Sequence, residues 1–484
     1  MQTIEQSIWQ QASLHPDKIA VKSGKDEVTF GQLTSRILAA KQMLMNLPEY
    51  KEGGSIILAA GKQIEFLYVY FAAHFAGLTV APIDPETNPT RFAYIADAIK
   101  PFCVIGFDKI DINIQKISLK DFKQLLEVAE ITEVSFPHED AIADILFTTG
   151  TTGAPKGVPL TFKNEAAAAR NINTYIQNTT DDIELLALPV SHSFGLGRVR
   201  CCLVNGQTII LLGSFVNTKK LFRTIEEDNV AGFTMVPASW KFLQKMSGDK
   251  LADYAHQLKY IEMGSAYLSP EDKKHLADIF PTTRVTMHYG LTEASRSAFM
   301  EFHEDSENIA TVGKASPNTE IRTFDENGNM LPVGQEGEIC VKGEHVTKGY
   351  LNIPADDIFF GDGYFRTGDS GNINENGYIT LKSRIKELIN VGGKKVAPTE
   401  VDEQILKISG VADCACVAAK DPDGVLGEVV KAFIVKGSED LTFEQITEQL
   451  MGKLEAYKIP SQYEWIDAIP KTANGKIQRN LLQK

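Results

Sequence analysis

Cysteine is scarce in this chain, six residues in 484. The only close neighbours among them are Cys201–Cys202 and Cys414-x-Cys416, a spacing that suits neither a zinc site nor a disulfide scaffold. Packed, reduced thiols and a cytoplasmic location are therefore expected. Positive charge is also in deficit: 49 Lys and Arg face 63 Asp and Glu, for a net charge of -14. That balance argues against the broad basic face on which nucleic-acid binding depends. Long unbroken apolar runs are missing too. The longest candidate, FLYVYFAAHFAGLTVAPI, is interrupted by His74, Gly77 and Pro82. It reads as a core helix leading into a strand, with no membrane span expected. The N-terminal stretch is amphipathic and carries acids, unlike a secretory leader with its basic start and apolar middle.

What the chain does have is enough apolar residue, 43% hydrophobic, to bury more than one core, so at least two domains are expected. Short β-rich runs (SIILAA, LTVAP, CVIGF) alternate with helical patterns, and the alternation resumes with LLALP, QTIILL, GFTMV, KYIEM and RVTMH. Such alternation predicts mostly parallel sheets covered by helices. From about Thr311 the texture changes to glycine-rich short strands with turn pairs, predicting an antiparallel module that closes the large domain. A compact α+β pattern follows SRIKELI. The predicted class is thus α/β. Residues 1–383 form a large domain of two α/β layers plus the β module, 384–386 a hinge, and 387–484 a small mobile α+β domain.

Within this plan, TTGTTGAPKG (Thr148–Gly157) has the composition of a phosphate cradle. It fails the G-x-x-x-x-G-K-[ST] template, because Pro155 occupies the second glycine position and Gly157 the final hydroxyl position. Gly157 and Pro159 also oppose a helix start, so the loop joins two strands. Thr148, Thr149, Thr151 and Thr152, with Gly150 and Gly153, offer hydroxyl and amide donors to polyphosphate, and Lys156 adds a cation. An ordinary polar hairpin has the same composition.

Three more stretches carry candidate chemistry. HYGLTEA follows the strand RVTMH, where open α/β sheets bind ligands. There Tyr289 is suited to stack on a base, Thr292 to bond a phosphate and Glu293 to hold Mg²⁺, although a carboxylate after a strand is also an ordinary cap. YFRTGDSG sets Asp369 in a loop after a hairpin strand, suited to accept both ribose hydroxyls, or to serve as a turn aspartate. PKTANGKIQRN exposes Lys476 near the C-terminus, where most lysines are solvated charges.

Taken together and in this order, FTTGTTGAPKGV, YGLTE, YFRTGD, SRIKELINVGGKKVAPTEV and PKTANGKIQR resemble the adenylate-forming superfamily of acyl-CoA synthetases, nonribosomal peptide synthetase adenylation domains and firefly luciferase. The resemblance implies two steps: a carboxylate attacks the α-phosphorus of ATP to give an acyl-adenylate and pyrophosphate, and a thiol then displaces AMP. It implies that Thr148–Gly153 grip the β- and γ-phosphates with Lys156 beside them, that Thr292 contacts the α-phosphate and that Glu293 holds Mg²⁺. Gly264, Ser265, Ala266 and Tyr289 would line the adenine pocket, and Asp369 and Arg384 would hold the ribose. Lys476 would supply the cation for adenylation, Lys386 the hinge, Gly392 and Gly393 the thiol path, and His192 the gate between acyl pocket and thiol tunnel.

Ser383 and Tyr267 stand where the superfamily commonly has glycine and proline, and neither removes a catalytic group. Tyr267 would instead reshape the neighbouring acyl pocket. The segment SHSFGLGRVR lacks the aspartate with which amino-acid-activating relatives bind an ammonium, which disfavours an α-amino acid. Phe194, Met263 and Phe299 suit an apolar acyl or aryl group, or are core. Arg198 and Arg296 suit a second carboxylate or a coenzyme A phosphate, or are snorkelling surface residues. The resemblance thus implies an acid–CoA ligase using ATP, Mg²⁺ and coenzyme A on a small carboxylic acid. The alternatives are an acyl-AMP ligase that loads a separate acyl carrier protein and, more distantly, a non-catalytic nucleotide-binding protein.

Overall fold

The computed structural model of the chain describes residues 2–123, 134–148, 155–355, 357–423, 425–437, 441–472 and 475–483. They divide into two compact units. The first comprises Met1–Ile309, Gly313–Glu320 and Lys342–Phe359, and the second Ala310–Val312, Ile321–Val341 and Phe360–Lys484.

The first unit is built on two sheets, as the alternation of strands and helices predicts. One runs in the order Gln115–Ile117, Cys103–Ile105, Ser55–Ala59, Thr79–Ile83, Ile142–Thr148, Lys156–Thr161. Its neighbours are parallel up to Ile142–Thr148, and the last pair is an antiparallel hairpin. The other sheet has a parallel centre, Arg284–Tyr289, Tyr260–Met263, Gly232–Met235, Ile183–Leu186, Thr208–Leu211 and Ile19–Ser23, with antiparallel strands at both edges. The apolar run singled out above becomes helix Ile64–Phe75 followed by strand Thr79–Ile83, and every residue of that helix but Glu65 is buried. A helix apolar on all sides belongs in the middle of a core. Among the described residues no helix is long and apolar enough to cross a membrane.

The second unit contains all but the end residues Glu320, Lys342 and Phe359 of a sheet built from Glu320–Phe324, Gly337–Lys342, Tyr364–Ile373, Phe359–Phe360 and Ile379–Arg384, antiparallel where Tyr364–Ile373 meets Gly337–Lys342 and Ile379–Arg384. It also contains the hairpin Ile389–Val391/Lys394–Val396 and a sheet of Val411–Lys420, Glu428–Lys436 and Gln462–Trp465, packed on helices Pro398–Leu406 and Phe443–Leu450. The β module therefore lies in the same unit as the residues after Arg384. All six cysteines are buried and free.

A buried ionic cluster ties the N-terminal helix to the hairpin strand in the first unit. His74 Nδ1 lies 2.8 Å from Glu5 Oε1 and its Nε2 lies 3.2 Å from Asp144 Oδ1, with Asp144 also paired to Arg200. Burial opposes the charged ring, but hydrogen bonds to Asp144 and Glu5 outweigh it and raise the His74 pKa to about 9.

Candidate functional site

The phosphate-loop candidate is a strand-to-strand connection, as Pro155, Gly157 and Pro159 require. Thr148 faces Lys156 across the hairpin, and Thr161 ends the second strand by capping helix Phe162–Ile176 in a reciprocal pair with Asn164. Thr149, Gly150, Thr151, Thr152 and Gly153 lie outside the described residues.

Lys156 reaches a partner far along the chain: its Nζ stands 4.7 Å over the ring of Tyr350. The Tyr350 hydroxyl donates to Glu293 Oε1 at 2.7 Å. Backbone bonds hold the segment containing Tyr350 between the hairpin and the Thr292–Glu293 turn. Leu351 N donates to Gly157 O at 2.9 Å, Thr347 N to Glu293 O at 2.8 Å, and Thr347 Oγ1 to Pro159 O at 2.6 Å. One tyrosine thus bridges the loop cation and the buried carboxylate expected to hold Mg²⁺. Carboxylate oxygen is the hard donor that Mg²⁺ takes, and Glu293 fits it.

Tyr289 ends the strand Arg284–Tyr289, and a tight turn follows in which Leu291 and Ala294 exchange backbone hydrogen bonds. Gly264, Ser265 and Ala266 follow the neighbouring parallel strand. Gly264 admits no side chain, since a Cβ there would lie 2.2 Å from the His288 ring. Ser265 is held at φ +72°, a left-handed conformation unusual for serine. His192 is the N-cap residue of helix Ser193–Val204. Burial lowers its pKa, with Asp84 opposing that shift and Arg91 adding to it, so the ring is neutral near pH 7. Arg91 also donates to Phe147 O at 3.3 Å, beside Thr148.

In the second unit, Asp369 occupies a strand, not the loop expected. Within Tyr364–Ile373 it faces Arg384, and Arg384 Nε lies 2.8 Å from Asp369 Oδ1. The glycines that suggested a turn are absorbed by the strand, with Gly368 at φ +73° and a register shift between Ser370 and Gly371. Lys386 lies in a single 3₁₀ turn, Ile385–Glu387. Gly392 and Gly393, at φ +56° and +84°, form the two-residue connection of the hairpin that follows, so turn geometry already demands glycine there. A Cβ on Gly393 would meet nothing within 4 Å. Lys476 is exposed on a loop closed by Thr472, which donates from N to Lys476 O at 2.8 Å and accepts from Lys476 N on Oγ1 at 3.1 Å. Three residues on, Arg479 reaches Glu387, Asp402 and the carbonyl of Cys416 at 3.1, 2.6 and 2.9 Å.

Comparison with known proteins matches residues 8–351 to the AMP-binding enzyme family and residues 400–476 to the AMP-binding enzyme C-terminal domain. The chain belongs to the AMP-binding enzyme family. It is 31% identical to the oxalate–CoA ligase of Arabidopsis thaliana, over 97% of this chain and 96% of that protein. It is also 31% identical to the 2-succinylbenzoate–CoA ligase of Enterococcus faecalis, over 78% and 77%. Its fold matches the o-succinylbenzoate coenzyme A synthetase of Bacillus subtilis, solved in complex with ATP and magnesium ion, with a TM-score of 0.87, 25% identity and 98% of each chain covered.

Two residues of this AMP-binding enzyme take roles other than those their sequence suggested. Arg198 and Arg296 are buried in ion pairs and are not surface residues. Arg198 is 0% exposed and paired with Glu184, and Arg296 is 2% exposed and bonded to Glu262 and to the carbonyls of Ser193 and Phe194. Phe194, Met263 and Phe299 are likewise core, whereas Tyr267 is 62% exposed. Tyr350 escaped sequence reading because its partners are 194 and 57 positions away, and its GY pair resembles any turn in a glycine-rich stretch.

Proposed function

We propose that this chain is an ATP-dependent carboxylic acid–CoA ligase of the cytoplasm. It is an AMP-forming acid–thiol ligase. A substrate carboxylate oxygen attacks the α-phosphorus of ATP, the bond to the β-phosphate oxygen breaks, and acyl-adenylate and pyrophosphate result. The thiol of coenzyme A then attacks the acyl carbon and AMP leaves.

The observation that carries this reading is the Lys156–Tyr350–Glu293 bridge, which supports a polyphosphate cation and a metal carboxylate acting at one site. Lys156 and the Thr148–Gly153 loop would hold the β- and γ-phosphates and Thr292 the α-phosphate. Gly264–Ala266 and Tyr289 would receive the adenine, and Asp369 with Arg384 the ribose. Mg²⁺ on Glu293 would neutralise charge on the phosphates when bound. Lys476 would stabilise negative charge that develops at the α-phosphate. Residues 387–484, turning about Lys386, would withdraw Lys476 after the first step and present the Gly392–Gly393 turn for the second. The neutral His192 would sit between the acyl and thiol sites.

The test is ATP-dependent pyrophosphate release over a panel of fatty, aryl, hydroxy and dicarboxylic acids, each with and without coenzyme A. Release with one acid class that rises sharply with coenzyme A is expected. Release indifferent to coenzyme A would assign the thiol to a separate acyl carrier protein, and silence across the panel would count against catalysis.

A further inference from the structure

Beneath the segments assigned to adenine and to the acyl–thiol gate lies a buried polar network that the proposed chemistry does not itself use. Its centre is Glu262, the residue before Met263 on the strand leading into Gly264–Ala266. Glu262 Oε1 accepts from Arg296 Nε at 3.2 Å and lies 2.7 Å from His288 Nδ1, while Oε2 lies 3.4 Å from Arg198. The Glu262 side chain is 0% exposed. The partners belong to two other pieces of the site. His288 directly precedes Tyr289, and its ring packs on the Gly264 backbone. Arg296 closes the turn that carries Thr292 and Glu293, at φ +53°. Arg296 also donates to Ser193 O at 3.1 Å and to Phe194 O at 2.9 Å, in the first turn of the helix that His192 caps. Arg198 sits further along that helix and pairs with Glu184.

Two guanidinium cations and two carboxylates balance in this cluster. Charge balance alone, however, would not require one carboxylate, on the strand leading into Gly264–Ala266, to contact both the Tyr289–Glu293 segment and the His192 helix. Buried pairs of this kind contribute little net stability against apolar replacements, and their best-attested use is fixing register. We propose that Glu262 is a positioning residue that locks the Gly264–Ala266 segment, the Tyr289–Glu293 segment and the His192 helix into one relative geometry. The role rests on the acid–CoA ligase reading, since it is the nucleotide site whose shape Glu262 would set.

The experiment uses the full chain and a non-hydrolysable ATP analogue, whose affinity reports the site whether or not the acid has been found. Glu262→Asp keeps the charge and draws the carboxylate back by one methylene. At a temperature where circular dichroism shows it fully folded, it is expected to bind the analogue about tenfold more weakly and to raise KM for ATP with a smaller change in kcat. Glu262→Gln is expected to lose more, and if it does not fold, Glu262→Asp carries the test. Wild-type analogue affinity and KM in Glu262→Asp would overturn the role and leave charge balance as its whole contribution. Failure of the wild type to bind the analogue would overturn the ligase reading itself, a different outcome from a defect confined to the variants.

Discussion

Arg384 holds Asp369 across two antiparallel strands, Nε to Oδ1 at 2.8 Å, while its Nη1 donates to Thr367 O at 2.8 Å. The pair holds the carboxylate within the strand ladder. Asp369→Asn removes a charged acceptor, and hydrogen bonds to charged groups are worth about 1.5–3 kcal/mol. KM for ATP is therefore expected to rise about ten- to a hundredfold. An unchanged KM would separate Asp369 from nucleotide binding.

Tyr350→Phe deletes the hydroxyl that orients Glu293 and keeps the ring beneath Lys156. The Mg²⁺ concentration for half-maximal pyrophosphate release is expected to rise about tenfold, typical for loss of a partner behind a metal carboxylate. Tyr350→Ala removes the ring as well and is expected to raise KM for ATP in addition. A magnesium titration of both variants checks this.

Lys476→Ala is expected to lower acyl-adenylate formation by about a hundredfold or more, in line with loss of a group that stabilises transition-state charge. A supplied acyl-adenylate should still react with coenzyme A at the wild-type rate. Equal loss in both half-reactions would contradict the assignment.

Gly393→Leu is expected to do the reverse, sparing adenylation and slowing thioester formation. Because Gly393 sits at φ +84°, leucine also strains the hairpin by about 1–2 kcal/mol. Gly393→Asn serves as the control, since asparagine tolerates the left-handed region. A thioester defect in the leucine variant well beyond that of asparagine separates obstruction from strain, by comparing the two half-reaction rates.

His74 predicts a pH dependence of stability. Its folded pKa of about 9 lies above its ordinary value of 6.5, so the folded state holds the proton more tightly than the unfolded chain. The contribution is complete below pH 6.5 and is lost as pH rises through about 9, a fall on the order of 3 kcal/mol. Urea unfolding between pH 6 and 10 should show that decline, and His74→Gln should flatten it while lowering stability throughout.

The mostly parallel sheets and the hairpin character of the Thr148–Lys156 loop were legible because they follow from local rules, alternation of apolar strand and helix patterns for the sheets and the helix-breaking Pro155, Gly157 and Pro159 for the loop. Asp369 misled because the glycines beside it are turn residues by composition, and only pairing with Ile379–Arg384 reveals a strand. Arg198 and Arg296 misled because their anions, Glu184 and Glu262, sit inside otherwise apolar strands. A carboxylate in IELL or YIEM was the signal that a buried cation must exist somewhere. Tyr350 had no local signal, since its partners come from two distant segments.

The grip of Arg479 on Glu387, Asp402 and Cys416 bears on mechanics. It staples the segment carrying Lys476 to the residue next to Lys386 and to the sheet and helix behind it. If Lys386 is the pivot, the lysine has little slack of its own. The C-terminal piece then behaves as a lever arm, and a few degrees of rotation at one backbone bond set where its charged tip arrives.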